Sequence, residues 1–193
     1  MNGKLPEPRQ QMVIGAADMI RRRGLNATSV RELAKHTGAP LGSTYHYFPG
    51  GKQQLAAEAV KWAGDTVAHI LERRLEDGPI DGLRAFLALW RATITDSDFR
   101  AGCPVLAVSI EDPADGETEV LATAAEVFAS WEKLLAQSLR RHGAGRRQAE
   151  QLATLIVASV EGTVAMCRAK RSAQPLDDVG VQLEEMINAV IKH

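Results

Sequence analysis

The sequence predicts an all-α protein. Strand signals are nearly absent, with no alternating β-branched runs and no Asn-Gly hairpins. Apolar residues recur at helical spacing along the whole chain, and Gly or Pro interrupts them at intervals that suit helices. The 193 residues are 45% apolar and 24% charged, which is ordinary globular composition and enough chain to bury a core without staples.

Nine helices follow in order. Met12, Ala16, Met19 and Ile20 share one face of a helix over about 7–23, with Pro6 near its start and Gly24 stopping it. Ser29-Val30-Arg31-Glu32 fits a capping box that opens a short helix to about His36, ended by Gly38. A third short helix runs from about Pro40 or Leu41 to Tyr47, where Pro49-Gly50-Gly51 breaks it. A long helix covers about 52–75, and Pro79 opens another to about Thr95. Gly102-Cys103-Pro104 breaks the chain before a short apolar helix to about Asp112. The last three are expected over about 116–141, 146–170 and 176–192.

Net charge is −1, but it is unevenly spread. Residues 1–52 hold eight Lys/Arg, Lys4 among them, and three acids, a net +5; the remainder holds 15 basic and 21 acidic residues, a net −6. A basic head can meet phosphate while an acidic body stays clear of polyanions. Cys103 and Cys167 make no disulfide framework, which points to a reducing cytoplasm. The N-terminus MNGKLPEPRQQ has no apolar core of a secretory signal, and no unbroken apolar run approaches ~18 residues, so no membrane span is expected.

The two short helices, joined by TGAP at 37–40, have the length and composition of a helix-turn-helix. The second carries Leu41, Gly42, Ser43, Thr44, Tyr45, His46 and Tyr47, with both tyrosines of the chain among them. Small residues let backbone approach DNA, and hydroxyls reach phosphates and base edges. A tyrosine ring packs on sugar or a thymine methyl while its hydroxyl bonds. The alternative is that Tyr45, Tyr47 and Phe48 pack a small three-helix core; Phe48 is assigned there.

Residues 28–60, TSVRELAKHTGAPLGSTYHYFPGGKQQLAAEAV, resemble the DNA-binding signature of the TetR family of bacterial transcription regulators. The pattern is T-S-x-x-x-[LI]-A, a Gly-containing turn, G-[ST]-x-Y-x-[YH]-F and a lysine opening the fourth helix. FPGGK and GCPVLAVSIE at 102–111 resemble the branch related to LmrA and YxaF, and SVEGTVAMCRAKRSAQPL at 159–176 is similar to that branch's dimerisation region. The resemblance implies that Thr28 and Ser29 start helix 2 and meet phosphate. It places Ser43 and Tyr45 where the family contacts DNA, His46 and Tyr47 beside them, and Lys52 at the phosphate-binding lysine. Thr44 departs from the pattern, which is commonly apolar there, and is a candidate to read a base edge.

The body holds Phe86, Trp90, Phe99, Phe128 and Trp131. Such aromatics form either a core or the wall of a ligand pocket. The resemblance implies a pocket for a small, often lipophilic effector, with Trp90, Cys103, Leu106, Phe128, Trp131, Glu161 and Met166 as candidates. Glu161, in the otherwise apolar LIVASVEGTVAM, is either a polar anchor in that pocket or a solvated or dimer-facing residue. Ala153, Ala158, Gly162 and Ala165 would let helix 8 approach a neighbour closely, pairing helices 8 and 9 with their copies in a homodimer. Packing within one chain is the alternative, and the apolar face of helix 9 (Leu183, Met186, Ile187, Val190) suits both.

Ser130-Trp131-Glu132-Lys133 matches S-x-x-K, but no K-T-G or S-D-N accompanies it, and no metal or nucleotide motif is present. No enzyme and no cofactor are expected. The expected protein is a DNA-binding regulator, with a helix-turn-helix head over 1–52 and a ligand-binding and dimerisation body over 53–193. It acts as a repressor released from a palindromic operator by its ligand. The alternative is a thiol-based redox regulator using Cys103 and Cys167.

Overall fold

A computed structural model describes residues 7–112 and 118–191. Lys4, Pro6 and the expected start of the seventh helix at 116 lie outside them. The described residues form nine α-helices and no strand: α1 (Pro8–Arg23), α2 (Val30–Thr37), α3 (Leu41–Tyr47), α4 (Gly51–Arg74), α5 (Pro79–Asp96), α6 (Pro104–Ser109), α7 (Glu119–Arg141), α8 (Arg146–Lys170) and α9 (Gln174–Val190). The chain divides into two compact units. One contains the residues up to Gly64 and Pro104–Ala125; the other contains Asp65–Cys103 and the chain from Glu126 onward.

In the first unit α1 packs against α2 and α6, and α2 against α3. Met12, Ala16, Met19 and Ile20 are all buried, so the apolar face read from spacing is the face that packs. Leu33, Phe48 and Leu55 of the same unit are buried too, Phe48 completely. Local signals set the short helices. The Ser29 Oγ accepts from the Glu32 N–H at 3.2 Å, and the Glu32 carboxylate accepts from the Ser29 N–H at 3.1 Å. These bonds from Ser29 hold the Glu32 carboxyl below its usual range. Gly38 ends α2 in the left-handed conformation at φ 69°, which L-residues rarely adopt.

In the second unit α8 packs along α9, and α5 lies against both. Pro79 opens α5 at its first turn. Arg84 donates to both Glu184 carboxylate oxygens at 2.8 Å, through Nε and Nη2, and Arg91 pairs with Asp177, so two ion pairs join α5 to α9. Helix α8 is long and apolar enough to cross a membrane, with a mean hydropathy of 1.4 over its richest stretch, half of which is buried inside the protein. A search for unbroken apolar runs misses it, because Ser159, Glu161 and Thr163 interrupt the sequence. Burial on one side is what a core helix of a folded domain shows.

Candidate nucleic-acid interface and ligand-binding core

Helix α3 offers its residues unequally. Tyr45 is 55% exposed, a large value for an aromatic side chain, and His46 is exposed beside it. Tyr47 is half-buried, its ring edge-on to His46 at 5.4 Å, and Ser43 is half-buried too. The core alternative therefore holds for Phe48 and fails for Tyr45. Thr44 corrects the sequence expectation. It is 1% exposed, with its Oγ1 buried and lacking a hydrogen-bond partner, so it packs inward and reaches no base edge in this conformation. On a seven-residue helix one position in each turn must face the core, and Thr44 takes it, as an apolar residue would.

At the start of α2 the two hydroxyls also differ. Thr28 is buried and its Oγ1 donates to the Gly24 carbonyl at 2.7 Å, so it shapes the turn and offers no open face to phosphate. Ser29 is exposed. Lys52, partly exposed on the first turn of α4, lines one small cleft with Thr28, Ser29 and Val30. The structure thus brings Lys52 beside the N-terminus of α2, where free N–H groups and the helix dipole favour an anion.

Sequence reasoning missed what holds the turn between α1 and α2. Glu111, just beyond α6, accepts from the Leu25 N–H through Oε1 at 2.8 Å and from the Asn26 N–H through Oε2 at 2.7 Å. The Asn26 side chain returns a bond to the Asp112 carbonyl at 3.3 Å. Gly24, at φ 81°, makes room for this carboxylate: a Cβ there would lie 1.9 Å from Oε1. No local pattern reveals this clamp, since its partners lie 85 and 86 residues apart.

In the second unit four aromatics form a chain of edge-to-face contacts. Trp90 meets Phe86 at 6.2 Å, Phe86 meets Trp131 at 5.8 Å, and Trp131 meets Phe128 at 5.6 Å. Phe86 and Trp131 are fully buried and Trp90 nearly so, but the Trp90 Nε1–H finds no acceptor. Glu161 is 3% exposed, which removes the solvated reading. Neither carboxylate oxygen has an N–H or O–H partner; its polar neighbour is the weakly donating Cys103 thiol. Burial raises its pKa from 4.5 to about 8, against a small opposing effect of that thiol.

Of the other two candidates, Met166 is 48% exposed on α8, and Leu106 is half-buried on α6 in the first unit. Along α8 the exposed positions include Leu155, Ala158, Gly162, Ala165 and Met166, a stripe of small and apolar residues, whereas Ala153 is buried. On α9, Leu183 and Ile187 are buried within the chain, while Val181 and Met186 are exposed. Cys103 and Cys167 are both buried and outside any disulfide, and burial pushes the Cys167 thiol up, away from the thiolate form. Ser130 is exposed in mid α7.

Comparison with known proteins agrees with this layout. Residues 14–59 match the model of bacterial regulatory proteins of the tetR family, and residues 79–182 match the C-terminal domain of LmrA/YxaF-like transcriptional regulators. An uncharacterised HTH-type transcriptional regulator of Mycobacterium tuberculosis is 42% identical over 94% of this chain and 95% of its own. YxaF of Bacillus subtilis, also an HTH-type transcriptional regulator, is 28% identical over the same shares. The crystal structure of a TetR transcriptional regulator from Legionella pneumophila superposes with a TM-score of 0.83 over 100% of both chains at 19% identity. With both halves of the chain matched in this way, the protein belongs to the TetR family, LmrA/YxaF-like branch, and is a DNA-binding transcriptional regulator and not an enzyme.

Proposed function

We propose that this regulator is a cytoplasmic repressor, bound as a homodimer to a palindromic operator and released by a small lipophilic molecule. Residues 1–52 read DNA, and residues 53–193 hold the ligand and the dimer contact. The exposed tyrosine carries the DNA part of the reading: Tyr45 stands out from α3 where a chain with two tyrosines gains nothing from exposing one. His46, Tyr47 and Ser43 flank it, and Ser29 and Lys52 serve phosphate. Trp90, Cys103, Phe128, Trp131 and Glu161 supply the ligand site, an apolar wall with few polar groups. The exposed stripe on α8, with Val181 and Met186 of α9, is the surface a two-fold partner would cover. A repressor named DhaR, from a Mycobacterium species, is 24% identical and supports the sign of regulation. By linkage, ligand and operator weaken each other's binding by one common factor.

The test of the DNA part uses a duplex selected by the protein from a random pool. Tyr45→Phe should keep the fold and weaken binding by about 1–2 kcal/mol, the loss of one hydrogen bond. Lys52→Ala should weaken selected and unselected duplexes alike and lower the salt slope by about 1 per subunit. Unchanged affinity for Tyr45→Phe at matched salt would remove that tyrosine from the interface. For the ligand part, a thermal-shift screen of small lipophilic compounds should find stabilisers that also dissociate the duplex.

A further inference from the structure

Glu111 is an acid placed where a DNA-binding unit has least use for one. Residues 1–52 carry a net +5, and the N-terminus of α2 shares a cleft with Lys52. A carboxylate brought to the turn just ahead of that helix repels phosphate. The turn has little packing to shape it: Asn26, Ala27 and Ser29 are exposed, and only Leu25 and Thr28 are buried. Hydrogen bonds shape it instead. Glu111 takes the Leu25 and Asn26 N–H groups, one on each oxygen, at 2.8 and 2.7 Å. The Thr28 N–H donates to the Leu25 carbonyl at 2.9 Å, and the Thr28 hydroxyl closes back on the Gly24 carbonyl. The capping box at Ser29 follows directly. Leu25, Thr28, Ser29 and Lys52 all line the one cleft. The amides that Glu111 holds therefore lie on the same short run of backbone as the exposed hydroxyl that opens α2. Two N–H groups on two oxygens of one carboxylate make a charge-assisted contact of fixed geometry.

We propose that Glu111 is a positioning residue for DNA binding. It sets the α1–α2 turn so that Ser29 and the first turn of α2 meet phosphate together with Lys52, and the order it imposes outweighs the repulsion its charge adds. This rests on the phosphate contacts proposed above for Ser29 and Lys52 and adds the group that places them. Its consequence runs against simple electrostatics: removing a negative charge from this unit weakens its hold on a polyanion.

The experiment measures affinity of the full-length protein for the selected duplex and for an unselected one, against salt, well below each variant's melting point. Glu111→Gln keeps the size of the side chain but offers one acceptor oxygen for two N–H groups. It should bind both duplexes about tenfold more weakly, the order of one charge-assisted hydrogen bond, and lower the salt slope by about 1 per subunit. Glu111→Asp keeps the charge and both oxygens on a shorter arm and should recover part of that loss, binding roughly threefold more weakly than the wild type. Glu119→Gln removes a charge from the exposed start of α7 in the same unit and breaks no clamp, so it should bind at least as tightly as the wild type. The double variant Glu111→Gln/Lys52→Ala should lose less than the two single losses together, because the clamp acts through contacts already weakened. Unchanged or tighter binding by Glu111→Gln would make the clamp a matter of stability or of charge alone and overturn the proposal, whatever the melting temperature does. A loss matched by Glu119→Gln, or Glu111→Asp no better than Glu111→Gln, overturns it too. If Glu111→Gln does not fold, Glu111→Asp decides: wild-type affinity there sinks the idea. Lys52→Ala without effect on affinity or salt slope brings down the phosphate reading and this one with it; an effective Lys52→Ala beside an inert Glu111→Gln removes this one only.

Discussion

Glu161→Leu is expected to raise the melting temperature of the ligand-free protein, most of all above neutral pH. The sign follows from the raised pKa. A carboxyl that titrates near 4.5 in the unfolded chain and about 8 in the folded one binds more protons when folded throughout that interval. Its stabilising contribution is complete below 4.5 and is lost as pH climbs to about 8. The whole loss is on the order of 5 kcal/mol, of which about 3 kcal/mol is already gone at pH 7. Leucine removes both the titration and the unpartnered oxygens, and a few methyl groups suit the apolar site. The gain at pH 7 should approach 3 kcal/mol, roughly 6–12 °C for a chain of this length. Thermal unfolding of both proteins across pH 5–9 checks it: the wild type should lose stability toward the basic side more steeply than the variant. Parallel curves would mean that Glu161 is not held neutral. A carboxyl kept at such a cost belongs with a binding function.

Trp131→Ala should do the reverse. Trp131 is fully buried and touches both Phe86 and Phe128, so truncation opens a large hole lined by rings that cannot collapse into it. A loss of roughly 3–5 kcal/mol is expected, on the order of 10 °C. Trp90→Phe is the informative companion. It keeps most of the ring area, removes the unpartnered N–H, and should cost little or nothing in stability. Urea unfolding of the three proteins separates these outcomes. A mild effect for Trp131→Ala would show that Phe86 and Phe128 close over the vacated position and leave no hole.

Much of this was legible because it is local. The capping box at Ser29–Glu32, the glycine stop at Gly38 and the prolines opening α5 and α6 each act within one turn of chain, so sequence shows them directly. The apolar face of α1 follows from spacing alone. Side-chain direction on a seven-residue helix does not, and so Thr44, from its sequence a candidate to read a base edge, is buried. Thr28 failed similarly, since a hydroxyl that meets phosphate and one that closes a turn look alike in sequence. On α9 the four apolar residues read as one face divide, Leu183 and Ile187 going inward and Met186 outward, because the helix has neighbours the sequence does not announce. The grouping of Pro104–Ala125 with the N-terminal residues carries no sequence signal at all.

That grouping bears on the order of events during synthesis. The unit holding the helix-turn-helix is discontinuous, and its α1–α2 turn is closed by a carboxylate that follows some 85 residues later. While the nascent chain emerges from the ribosome, α1 to α3 can coil and collapse, but the amides of Leu25 and Asn26 stay in water until Glu111 is out of the exit tunnel. Closing so long a loop is a late, non-local step. The unit holding the helix-turn-helix is therefore completed only after the first half of the body has been made, and a truncated product ending at Gly64 would lack the bonds that set the entry into α2.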